Sequence, residues 1–152
     1  MNNDIDRDLQ IKLLIKEQER LENEINRRLK ENALETYNKW RIHKKQVDFH
    51  KSPKRIKGLF GGNRTGKTVA GAVEAVLHAL GDCRYRKLRP SSGWVVSLTN
   101  EVQRDVAQKD ILRWLPKKEI HEITIRDGKK NDPENSIIDK IILKNGCTIG
   151  FK

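Results

Sequence analysis

The run Gly61-Gly62-Asn63-Arg64-Thr65-Gly66-Lys67-Thr68 constrains this chain more than any other stretch: a glycine, four free positions, then Gly-Lys-Thr. Its neighbours give it a place in a fold. Upstream, Arg55-Ile56-Lys57-Gly58-Leu59-Phe60 is short and partly apolar and reads as a strand running into the loop. Downstream, Val69, Val73, Val76, Leu77 and Leu80 fall on one stripe of a helix, with alanines between them that favour helix and Gly81-Asp82 to stop it. Gly71 in that helix predicts close packing against a sheet. A strand, a Gly-rich turn and a helix in that order make an anion cradle. Backbone N–H groups from Gly62 to Thr68 line a concavity for the α- and β-phosphates of a nucleotide, and the positive end of the helix points at them. Lys67 reaches the β- and γ-phosphates and Thr68 offers the hydroxyl that Mg²⁺ needs. The glycines let backbone approach the anion with no Cβ between them. The expected ligand is ATP with Mg²⁺.

The remaining elements fit an α/β class. Gly93 to Thr99 reads as a buried parallel strand, and Asn100 begins a helix carrying Val102, Val106, Ile111 and Leu112, which Pro116 ends. Glu119 to Arg126, Ser136 to Lys144 and Cys147 to Lys152 read as strands, the last two joined by an Asn145-Gly146 turn. Residues 1–36 are of another kind: Ile11, Leu14, Leu21, Ile25 and Leu29 form a narrow apolar stripe among charges, an amphipathic helix. It can pack on the same chain, pair in a coiled coil or dock on another assembly component.

Charge is unevenly divided. The net formal charge is +11, and residues 37–90 hold 14 basic and 3 acidic side chains, so the excess surrounds the Gly-rich loop. Lys39, Arg41, Lys44, Lys45, Lys51, Lys54, Arg55 and Lys57 precede it and Arg84, Arg86, Lys87 and Arg89 follow. Such a field raises affinity for phosphate backbones, double-stranded DNA included, without reading sequence. With 36% hydrophobic and 35% charged residues the chain has a thin core and much surface. Cys83 and Cys147 are isolated and no histidine stands at ligand spacing, which argues against a metal or disulfide framework. No signal peptide or apolar span is apparent, so a cytoplasmic location is expected.

From about Lys45 to Lys152 the chain resembles the ATPase domain of the large subunit of tailed-bacteriophage terminases, the motor that pumps DNA into the capsid. The likeness lies in Lys45-Gln46-Val47-Asp48-Phe49-His50-Lys51-Ser52, the loop 61–68, Gly93-Trp94-Val95-Val96-Ser97-Leu98-Thr99, and Asn145-Gly146-Cys147-Thr148-Ile149-Gly150-Phe151-Lys152. It implies an α/β P-loop NTPase fold, RecA/ASCE-like, with a partial parallel sheet and flanking helices over 37–152, preceded by the amphipathic helix 1–36. It also implies that Gln46 contacts adenine, for which a carboxamide suits the N6 and N7 edge; by composition alone a glutamine in a polar run is solvated surface. Arg64 matches a basic loop residue that in the family senses the γ-phosphate or acts on a neighbouring subunit's nucleotide, so Lys67, Thr68 and Arg64 are the implied catalytic groups. A loop arginine facing solvent or DNA is the equal alternative. By position alone, Trp40 or Phe49 can stack on adenine, with packing on the surface the equal alternative; the resemblance implies that Thr99, Asn100 and Gln103 face DNA. Implied partners are double-stranded DNA, a portal ring, a small terminase subunit and further copies of the chain on the portal, in the cytoplasm of an infected bacterial host.

One departure is expected to matter. The family's second motif, about four apolar residues ending in Asp-Glu that position Mg²⁺ and the attacking water, has no counterpart here. Ile137-Ile138-Asp139 is the nearest candidate and reads better as part of a hairpin strand. The chain is therefore expected to be the first part of an ATPase domain, ending before its catalytic carboxylates and the nuclease domain. A helicase-like P-loop ATPase and a nucleotide-dependent binding module that never hydrolyses remain the alternatives.

Overall fold

The structure, a computed structural model, describes residues 2–31, 33–39 and 43–152, and within the first helix the side chains of residues 10–27. It falls into two compact units, 1–32 and 33–152. The first is the helix α1 (Asn2–Glu31), on which Ile11, Leu14, Leu21 and Ile25 are exposed; the side chain of Leu29 lies outside the described residues. Gln18 and Glu22, and Glu24 and Arg27, pair along its surface.

The second unit is mixed α/β. After the short α2 (Ala33–Thr36) and α3 (Lys44–Lys51) comes α4 (Lys67–Leu80), the helix the apolar stripe predicts. Val73, Val76 and Leu77 are fully buried, Val69 and Leu80 partly. Each fully buried side chain of that size contributes about 1.5–3 kcal/mol to the core. Gly81 closes the helix in the left-handed conformation, φ 70°, with its N–H on the Leu77 carbonyl.

Four strands form one sheet in the order β1-β4-β3-β2. They are β1 (Gly93–Val95), β2 (Ile120–Asp127), β3 (Ile137–Leu143) and β4 (Thr148–Phe151). Only β1 with β4 is parallel, Trp94 opposite Gly150; the others are antiparallel, with Ile141 opposite both Ile123 and Ile149. The sheet is thus mixed, where a partial parallel sheet was expected. The predicted hairpin is present: Gly146 turns at φ 82° and donates to the Leu143 carbonyl. Ile138, Ile141, Leu143, Ile149 and Phe151 meet α4, Ile111, Trp114 and Leu115 in one core.

Three local expectations fail. Arg55 to Phe60 is irregular and forms no strand, and Ile56 and Phe60 stand 92% and 95% exposed, because a short apolar run becomes a strand only where a neighbour satisfies its backbone. The segment Gly93 to Thr99 is a strand over Gly93–Val95, its pairing carried one step further by the Ser97 N–H on the Lys152 carbonyl at 2.8 Å, and it is not buried, since the side chains of Trp94, Val96 and Leu98 meet solvent. Gly71 does not mark close packing: it is exposed, and a Cβ there would meet nothing within 4 Å.

The helix after Thr99 begins as expected, with the Thr99 hydroxyl accepting the Val102 N–H at 3.2 Å. It then widens into a π segment, Gln103–Gln108, between α5 (Asn100–Val102) and α6 (Lys109–Trp114). A π turn takes up extra chain and rotates the inward face. Val102 and Val106 point outward, and Gln103, Gln108, Ile111 and Trp114 point in. Gln103 Nε2 donates to the Ile138 carbonyl at 2.9 Å and Gln108 Oε1 accepts the Ile138 N–H at 3.0 Å, so the two glutamines clamp the start of β3. Gln103 is therefore a buried structural side chain and does not face DNA.

Candidate functional site

The loop 61–68 turns through two left-handed residues, Arg64 at φ 59° and Gly66 at φ 78°, and runs straight into α4. The first suits an exposed loop tip; the second is a position where only glycine is unstrained. Gly66 is the N-terminal boundary of α4 and its carbonyl accepts the first helical N–H, from Ala70, at 3.0 Å. It has no side chain, so nothing caps the helix, and the donors of the first turn face the loop with the positive end of the helix dipole behind them.

Lys67 folds back over this turn, its Nζ donating to the Gly61 and Gly62 carbonyls at 2.8 and 2.6 Å. Thr65 Oγ1 donates to the Gly62 carbonyl at 2.9 Å, which holds the loop closed on itself. Thr68, Asn63 and Arg64 are exposed on the same turn. The loop residues named from sequence are thus together at one helix terminus.

Gln46 comes to this loop from α3. It is buried, Nε2 donates to the Gly66 carbonyl at 3.2 Å, and Oε1 lies 3.1 Å from the Tyr37 hydroxyl and 3.5 Å from Asn38 Nδ2. No family model, curated protein or solved structure matches the chain. The site is therefore judged by its own geometry.

Beyond Gln46 the structure reveals a polar cluster that no periodicity or spacing announces. Tyr37 touches the Nε2 of the fully buried His50 at 2.9 Å, and His50 Nδ1 touches Glu74 Oε2 at 2.7 Å. The other carboxylate oxygen of Glu74 takes Lys57 Nζ and, at 2.6 Å, Arg86 Nη2. Burial works against the charge on Glu74, but the hydrogen bonds from His50 and Lys57 outweigh it and bring the carboxyl down from 4.5 to about 2. Glu74 stays ionised, and two members of the basic belt, Lys57 and Arg86, are spent on it. Arg84 is also engaged, donating to the Leu34 carbonyl at 2.7 Å.

Phe49 stands edge-on to His50 and carries Lys57 Nζ 4.8 Å above its ring. With Gly71, His78 and Trp94 it lines a cavity of about 400 Å³ beside α4 and β1. Trp40 and Arg41 lie outside the described residues. Among the described residues no group of three or more His, Cys, Asp or Glu side chains is placed to hold a metal, and no helix is long and apolar enough to cross a membrane. Two carboxylates are engaged with cations: Asp105 is held at about 2 by its hydrogen bond from Arg104, and Arg126 likewise lowers Asp139, the nearest candidate for the acidic motif. Burial raises Asp110.

Proposed function

We propose that the loop 61–68 binds the phosphates of Mg·ATP and that the chain is the nucleotide-binding part of a P-loop NTPase of the terminase large-subunit kind, which in the intact motor couples ATP hydrolysis to translocation of double-stranded DNA. The observation that carries this reading is Lys67. Its ammonium hangs over two loop carbonyls at the foot of an uncapped helix, where a β- or γ-phosphate would exchange weak neutral acceptors for charged ones. Thr68 stands beside it to reach the metal through its hydroxyl, and Arg64 at the exposed tip can meet a γ-phosphate or a neighbouring subunit's nucleotide.

Titration calorimetry with Mg·ATP tests the reading. Lys67→Ala is expected to weaken binding at least tenfold, since a hydrogen bond to a charged group is worth about 1.5–3 kcal/mol; affinity unchanged by that substitution would overturn it. Turnover by the 152-residue chain is expected to be slight. No apolar run ending in Asp-Glu is present to orient the attacking water, and the loss of such positioning costs several powers of ten in rate. Brisk hydrolysis that disappears in Lys67→Ala would instead require a catalytic carboxylate, with Asp110 the first to substitute.

A further inference from the structure

The apolar stripe of α1 repeats in steps of three and four. Ile11, Leu14, Gln18, Leu21 and Ile25 take alternate a and d positions of a heptad, the spacing at which one helix meets another along its length. All five side chains are exposed, the four apolar ones by 48% to 71%. Their identities select among partners. A β-branched residue at a with leucine at d, as in Ile11 and Ile25 with Leu14 and Leu21, favours two parallel strands. Gln18 takes the central a position. Its Nε2 gives one hydrogen to Glu22 Oε1 on the same helix at 3.2 Å, so its second hydrogen and its Oε1 need partners once water is excluded. An apolar groove, or the Leu21 that an antiparallel pair would set opposite, offers neither. A second Gln18 offers both. Charge points the same way: four basic and four acidic side chains cancel within residues 10–27, so the excess of +11 lies elsewhere in the chain. The helix therefore does not repel its own copy, and the same balance gives it no pull toward an anionic lipid surface.

We infer that α1 pairs with α1 of a second copy of this chain as a parallel, in-register, two-stranded coiled coil, with Gln18 beside its counterpart in the middle layer. Nothing in this pairing depends on the nucleotide reading of the loop. The seam is short, because its next positions on either side are Arg7 and Arg28, so about two heptads hold the copies together and the dimer exchanges with monomer. Ile15 flanks the seam at e, whereas Leu13, 60% exposed, lies off it at c. One contact works against the pair. In a parallel coil the g residue of one heptad meets the e residue of the next on the other helix, which sets Glu17 beside Glu22 of the second copy on both sides of the seam.

Sedimentation equilibrium of the full chain from about 10 μM to about 1 mM tests the pairing. The wild type is expected to pass from monomer to dimer within that range. Leu14→Ala and Leu21→Ala, which put in a strong helix former, are expected to weaken the dimer about tenfold or more, and Leu13→Ala to leave it as it is. Glu17→Lys replaces two repulsions by two attractions and is expected to tighten the dimer about three- to tenfold, a gain that no loss of folding imitates. Register is read separately. Leu21→Cys is expected to form an interchain disulfide under mild oxidation, above the background that Cys83 and Cys147 set in the wild type, since parallel helices in register bring position 21 within bonding reach of its own copy. A wild type that stays monomeric throughout overturns the inference. So does a dimer indifferent to Leu14 and Leu21, a dimer equally sensitive to Leu13, or a Leu21→Cys chain that cross-links no more than the wild type.

Discussion

Two glycines in and after the loop make opposite demands, and each yields a prediction. At Gly66 the backbone is left-handed, φ 78°, and a Cβ would sit 2.5 Å from Gln46 Nε2. Gly66→Ala is therefore expected to cost about 1–2 kcal/mol in backbone strain alone, and more through the displaced glutamine, lowering both the melting temperature and nucleotide affinity. At Gly71 a methyl group meets open space on a helix surface. Gly71→Ala should raise stability by about 0.5–1 kcal/mol in urea unfolding; a loss there would mean the close packing that its sequence position suggests. Gln46 separates two roles. If it only braces Gly66, Gln46→Ala weakens ATP and GTP alike. If it also reads adenine, the substitution narrows the gap between them, because guanine offers O6 where adenine offers N6–H. Calorimetry with both nucleotides distinguishes the two. Gln46 could be singled out in the sequence through a resemblance, but its actual partners could not: Tyr37 and Gly66 lie 9 and 20 residues away, and no local pattern encodes them.

At the scale of elements, legibility followed the range of the signal. α4 is written in its own residues, a Val and Leu stripe ending at a left-handed glycine, and β3 and β4 in their alternation about Asn145-Gly146. The π segment and the unpaired run Arg55 to Phe60 are decided by what lies across from them, Ile138 in one case and no strand in the other. The Glu74 cluster belongs with these, since it ties α3, α4 and the segments on either side of α4 together from positions with no common period. It also makes a pH prediction. Glu74 titrates near 4.5 when unfolded and near 2 when folded, so its stabilising contribution is complete above 4.5 and lost as pH falls toward 2. Thermal melts across that window should show the wild type losing a share of stability that Glu74→Gln never had. Parallel pH profiles for the two proteins would remove Glu74 from the account.

For the molecule as a whole, the basic excess of residues 37–90 predicts weak binding of duplex DNA with an affinity that falls steeply with salt and ignores sequence. Removal of residues 1–32, a separate unit, should leave that binding largely intact in fluorescence anisotropy. Loss of binding with the helix, or insensitivity to salt, would place the DNA surface elsewhere. The outer edge of β1 adds a colloidal consequence. Its unpaired backbone, followed by Val96 and Leu98 at 76% and 97% exposure, is the kind of edge along which identical chains stack, and what holds copies apart is their shared charge of +11. Counterions that shorten the reach of that repulsion to about 10 Å at 0.1 M salt leave the edges free to meet. Dissolved chains should therefore scatter more light as ionic strength rises, and a buffer chosen to strip DNA from the protein is the one in which it will be least willing to stay in solution.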